Sequence, residues 1–317
     1  LRPQGLEAIM TDKNLAAIVP AWSDQGMAKA FGRALATGLR LGNKLDGAMV
    51  EGDEVKVPGW TAEDDEDLAL GITDLVTAIA YASSRSWINS SQVGQDERVE
   101  AIRALLHSAD PLVRAGALTL LANYGVMNSG IREFERAIEQ GFADPHPAVR
   151  FASAIQFAAG IKSGQWEGKA PATVLRKLVE DPEAGVRMAA ALALLSNAHR
   201  PYASPAVDPD GALLDQLLAD RSAFVRQALR LGALALNNPR VERVQGIPSY
   251  NWQGAISLNS PLMAHRAGPA QQKWLALNAD DGLKATLRDP NPIARAVSFA
   301  FASILQLNQQ LRNKAAV

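Results

Sequence analysis

The chain has 317 residues, 48% of them hydrophobic, and no cysteine, so neither a disulfide framework nor a thiolate zinc site is available to it. No apolar run is long enough for a spanning helix, which argues for a soluble protein. Residues 1–95 hold 8 basic and 13 acidic side chains and residues 96–317 hold 24 and 20, an imbalance too mild for a protein that tracks a phosphate backbone.

In chain order, residues 1–11 place "LRPQGLEAI" ahead of Met10 and read as a vector-derived scar or an upstream extension, set apart from the fold. No basic stretch followed by an apolar leader is present, and a cytoplasmic location is expected. Residues 12–95 read as a mainly helical, irregular N-terminal cap region. Within it, "DQGMAKAFGRALATGLRLGN" predicts a helix stopped near Gly42. The alternation around "EGDE" predicts a β-hairpin near 47–60, with Pro58 and Gly59 at its exit. "TAEDDEDLALGITDLVTAIAYASS" predicts a second helix, with Thr61 as its cap and the acidic run Glu63 to Asp67 in its first turn, where negative charge suits the helix dipole.

A repeat occupies residues 96–317. Its junctions begin at Asp110 ("DPLVRAGALTLLANYG"), Asp144 ("DPHPAVRFASAIQFAAG"), Asp181 ("DPEAGVRMAAALALLS"), Asp220 ("DRSAFVRQALRLGALAL") and Asp289 ("DPNPIARAVSFAFASIL"). Four of the five place an arginine six residues after the aspartate; the first, at Arg114, is two residues shorter. Arg114, Arg150, Arg187 and Arg226 are 36, 37 and 39 residues apart, and Arg295 follows 69 later. That last gap predicts one degenerate copy between them, around Arg266 near 255–279, and about six helix pairs in all. Each Asp is expected to accept N–H groups of the following helix and each Pro to sit in its first turn. The second helix of each pair, such as "MAAALALLS", is apolar nearly all round and must be covered on several sides. Stacked helix pairs forming a right-handed superhelix are the expected result.

This pattern resembles the HEAT-repeat family over roughly residues 96–311. The fold class it implies is all-α, a right-handed α-solenoid of HEAT-like helical hairpins with an irregular N-terminal cap. In that family the turn Asp and the early Arg of the second helix form a stacked polar ladder. The matching residues are Asp110, Asp144, Asp181, Asp220 and Asp289, with Arg114, Arg150, Arg187, Arg226 and Arg295. A pair that recurs along an array reads as framework, not catalysis.

Three insertions interrupt the rhythm, at 162–171, 197–211 and 237–254. They carry Trp166, Tyr202, Tyr250 and Trp252 beside Arg200, Arg240 and Arg243, the residue types that protein-binding hot spots favour. Chemistry is harder to find. His107, His146, His199 and His265 are scattered without metal-ligand spacing, and no phosphate-binding or nucleophile motif occurs. Paired carboxylates such as Asp64 with Asp65, or Asp280 with Asp281, fall at expected helix starts. No catalytic residue, metal or cofactor is therefore assigned.

The function expected is a non-catalytic scaffold or adaptor subunit that holds one or more proteins on its concave face and inserted loops, without membrane insertion or a nucleic-acid partner. The second reading, from the same resemblance, is a bilin lyase/isomerase-like protein or cofactor-maturation chaperone; a HEAT-like DNA glycosylase is the third.

Overall fold

The computed structural model describes residues 24–88, 95–123, 132–163, 170–198, 208, 211–237 and 280–300. The described residues are mostly helical, with twelve helices packed against neighbours in sequence, and the architecture is all-α. The chain divides into two compact units, Leu1–Leu41 with Thr61–Gly160 and Gly42–Trp60 with Ile161–Val317.

The first unit takes most of α1 (Asp24–Asp46), then α2 (Ala62–Ile88), α3 (Gln95–Leu106), α4 (Pro111–Asn123), α5 (Arg132–Gly141) and nearly all of α6 (Pro147–Ser163). Ala28 and Phe31 of α1, Ala78 of α2, Leu105 of α3, and Val113, Ala117 and Leu120 of α4 form one buried cluster. Small residues let α1 and α4 meet backbone to backbone. A Cβ on Gly32 would lie 1.9 Å from the Leu112 carbonyl oxygen, and one on Gly116 would lie 1.7 Å from that of Ala28. Farther along, Arg33 forks onto Asp74 at 2.9 Å through both Nε and Nη2, and Arg40 bonds Asp64 at 2.6 Å and also pairs with Asp67. These ion pairs fix α2 along α1. The side chain of Asp64 reaches back to Thr61 at the start of α2: its Oδ2 accepts both the Thr61 N–H and its hydroxyl, while the Asp64 N–H donates to the Thr61 carbonyl, so the expected Thr61 side-chain cap is replaced by half of a capping box.

The second unit takes the last turn of α1, then β1 (Met49–Glu51), β2 (Glu54–Lys56), α7 (Ala170–Val179), α8 (Ala184–Ala198), α9 (Ala212–Leu218), α10 (Ala223–Asn237), α11 (Asp280–Leu287) and α12, whose described part is 292–300. The strands pair antiparallel with Val50 opposite Val55, and Gly52 turns between them at φ 65°, a conformation glycine adopts without a steric penalty. α8 packs against α7, α9 and α10. Its Val186, Ala189, Ala190, Ala191 and Ala193 are wholly buried, as its nearly unbroken apolar surface requires.

The expected stop of α1 near Gly42 is wrong: the helix runs on to Asp46. The reason is tertiary. Asn291 Nδ2 donates to the carbonyls of both Leu45 and Asp46 at 2.9 Å, so helix-end acceptors that glycine would otherwise help to expose are satisfied by a side chain 245 residues away. Asp46 Oδ1 in turn accepts the Ala223 N–H, and Asn43 donates to Glu183.

Candidate functional site

The repeated junctions are built from a local hydrogen-bond pattern. In each, the arginine Nη1 donates to the carbonyls six and five residues earlier: Ser108 and Ala109 for Arg114, Asp144 and Pro145 for Arg150, Asp181 and Pro182 for Arg187, Asp220 and Arg221 for Arg226, Asp289 and Pro290 for Arg295. This register explains the short first junction. Ser108, not Asp110, stands six residues before Arg114, and its hydroxyl accepts the Asp110 N–H as the other junction aspartates accept the N–H two residues on.

The expectation that each Asp caps the next helix is corrected accordingly. Asp144, Asp181, Asp220 and Asp289 each accept the N–H of the residue just before the helix, in a turn of the kind Asx side chains favour. The residues at the cap position are Asp110, His146, Glu183, Ser222 and Asn291. Asp110 accepts from Leu112, His146 Nδ1 from Ala148, Ser222 from Val225, and Asn291 from Ile293 and Ala294. Pro145, Pro182 and Pro290 therefore lie in the turn; the prolines that open helices are Pro111, Pro147 and Pro292.

With Nη1 held by its own turn, the arginine presents its other edge to the aspartate of another junction. Arg187 bonds Asp220 through Nε at 2.7 Å and Nη2 at 2.9 Å; Arg114 places Nε and Nη2 on one oxygen of Asp144 at 3.0 and 2.7 Å; Arg226 reaches Asp289 at 2.8 Å. Burial separates these rungs: the side chains are 6% and 8% exposed for Arg187 and Asp220, 18% and 2% for Arg226 and Asp289, 22% and 11% for Arg114 and Asp144. The hydrogen bond to Asp220 holds the Arg187 guanidinium above its usual range despite burial. In the first unit Lys29 of α1 bonds Asp110 at 2.9 Å. That bond, then the Leu112 N–H, holds the Asp110 carboxyl below the usual aspartate value.

The Arg226 to Asp289 rung joins α10 to the turn before α12 although 63 residues separate the two partners. Gln227 of α10 adds bonds from Nε2 to the Ala294 carbonyl at 2.6 Å and the Ser298 hydroxyl at 2.9 Å. The degenerate copy expected around Arg266, near 255–279, lies outside the described residues.

Every buried acid described has a structural partner. Asp64 and Asp74 hold arginines, Asp208 accepts the Leu213 and Leu214 N–H groups at the start of α9, and Asp289 closes a rung. Among the described residues no group of three potential metal ligands converges, and no helix is long and apolar enough to cross a membrane. Trp166, Arg200, Tyr202, Arg240, Arg243, Tyr250 and Trp252 lie outside the described residues, as do His199 and His265.

A different surface feature escaped the sequence reading. Along α2, Leu68, Ile72, Leu75, Val76 and Ile79 are 39–61% exposed. Their spacing of four, three, one and three residues puts them on one helix face. Asp64, Asp74 and Ala78, on the flank adjoining the stripe, are buried, and Leu70 on the far side is exposed as well. The ordinary helical periodicity of "LALGITDLVTAI" signals an apolar face but not whether anything covers it. No protein-family model, curated protein or solved structure matches the chain.

Proposed function

We propose that this protein is a non-catalytic scaffold or adaptor, a right-handed solenoid of HEAT-like hairpins whose task is to hold another protein. The observation that carries the reading is the uncovered stripe on α2, Leu68, Ile72, Leu75, Val76 and Ile79. Contiguous exposed apolar surface of this kind marks association sites in soluble proteins. Supporting it, the ionisable groups that could resemble a catalytic centre are engaged in ladder rungs and helix caps. The concave face and the inserted loops, with Trp166, Tyr202, Tyr250 and Trp252 as anchors, form the second contact set in this proposal.

The test is gentle purification from the native cell, with mass spectrometry of co-purifying chains and a visible absorption spectrum. A stoichiometric protein that is lost from an Ile72→Glu, Val76→Glu double variant of unchanged helicity supports the reading. A chain purified alone, or a partner retained equally by the double variant and by Ala variants of the four loop aromatics, refutes it.

A further inference from the structure

We propose that the apolar face of α2 docks an amphipathic helix of another protein, antiparallel to α2 and with lysine or arginine in its last turns. Such a partner occupies the surface on which the scaffold reading rests, and its existence depends on that reading. Leu68, Ile72, Leu75 and Ile79 follow one another at spacings of four, three and four residues, the seam by which one helix packs along another. They are 39–54% exposed, and Val76 widens the seam at 61%. The seam is about 16 Å long, or roughly three turns, which suits a helix better than a single inserted side chain.

The charge beside the seam chooses among occupants. From Thr61 to Ser84 the sequence holds six acidic residues and no lysine or arginine. Five of the six, Glu63 to Asp67, are consecutive in the first turns of α2. Arg40 pairs with Asp64 and Asp67, and Arg33 with Asp74, while Glu63, Asp65 and Glu66 are exposed. Asp65 stands one turn before Leu68, on the line of the seam. The five carboxylates span about 6 Å along the axis, inside one Debye length, so they act together on the end of a helix laid in the seam. An anionic lipid surface is repelled there, and a second copy aligned parallel would set two acidic ends side by side. Cations satisfy that end, and helix polarity fixes the direction. Lysine and arginine are stabilising in the last turn of a helix and destabilising in the first, so the end of the partner that meets Glu63 to Asp67 is its C-terminus.

The test uses the full chain and a designed peptide of about 21 residues, labelled with fluorescein at its N-terminus. It carries leucine or isoleucine at alternating spacings of three and four, alanine and glutamine between them, and lysines confined to its last two turns. Saturable binding by fluorescence anisotropy is expected, with a Kd below about 0.5 mM. A peptide of the same composition with the lysines in its first two turns should bind about fivefold or more weaker, and Glu63→Gln, Glu66→Gln in the protein should shrink that difference. Ile72→Ser, Leu75→Ser, with helicity unchanged by circular dichroism, should weaken both peptides about tenfold or more. Equal binding of the two peptides, binding that survives the serine double variant, or no binding up to about 0.5 mM overturns the proposal. So does a dimer of the free chain in sedimentation that the serine variant dissolves, since a second copy is then the occupant. A native partner lost from Ile72→Glu, Val76→Glu while the two peptides bind equally leaves the scaffold reading standing and overturns only the basic helix. No native partner and no peptide binding removes both.

Discussion

Replacing Arg187 by methionine tests the ladder where it is most buried. The substitution keeps an unbranched side chain of similar reach but removes four donated bonds. Two go to Asp220 at 2.7 and 2.9 Å and two go to the carbonyls of Asp181 and Pro182 at 2.9 and 3.0 Å. Asp220 is left 8% exposed with its charge and only the Ser222 N–H as a described partner. Stranding one member of a buried pair costs about 3–5 kcal/mol. Because the Ser222 N–H still binds Asp220 Oδ1, we expect the lower half of that range. Lys29→Met breaks a rung whose side chains are 49% and 32% exposed, and an exposed pair of this kind contributes about 1 kcal/mol or less. The difference is read from urea unfolding followed by circular dichroism, comparing midpoints at an unchanged slope. The double variant Arg187→Met, Asp220→Leu should recover part of the loss, since removing both members of a buried pair leaves no stranded charge. If Arg187→Met and Lys29→Met cost the same, or the double variant is worse than the sum of its singles, burial of the rung is not what stabilises the junction.

Three further outcomes are expected. Gly116→Ala places a Cβ on the Ala28 carbonyl of α1; because backbone lies against backbone, the helices must separate, at a cost of about 1–3 kcal/mol or more, and hydrogen exchange of the α1 and α4 amides should rise together. Ser153→Ala should be neutral or stabilising by roughly 1 kcal/mol, because the Ser153 hydroxyl is buried without a hydrogen-bond partner beside Gly141; a clear loss in thermal unfolding would show that this hydroxyl is satisfied in solution. Asp110 has its folded pKa depressed, chiefly by Lys29. Its stabilising contribution is therefore complete above the unfolded value of 3.8 and lost as pH falls through the lower folded one. The stability gap between wild type and Lys29→Met should shrink between about pH 5 and about pH 2.5, and a gap independent of pH would remove Lys29 as the cause.

The junction motif was legible in one sequence because its first layer is local. An arginine whose Nη1 bonds carbonyls six and five residues back imposes a fixed spacing within a single turn, and recurrence of that spacing exposes the array. The exception at Asp110 misled for the same reason: the Asp-Pro pair is conspicuous to the eye, whereas the register belongs to Ser108, whose hydroxyl performs the same turn-closing bond.

Composition and periodicity by themselves determined that the chain is helical, that its helices meet at Asp-bearing turns, and that its second helices must be buried on several sides. Tertiary structure alone decided which arginine meets which aspartate, that Lys29 closes the rung at Asp110, and that Asn291 carries α1 past Gly42. It also decided that the apolar face of α2 at Leu68, Ile72, Leu75, Val76 and Ile79 is exposed. The reason is physical: hydrogen bonds within a turn are set by neighbours a few residues away, while exposure and ion pairing depend on residues tens to hundreds of positions distant, whose approach no local pattern records.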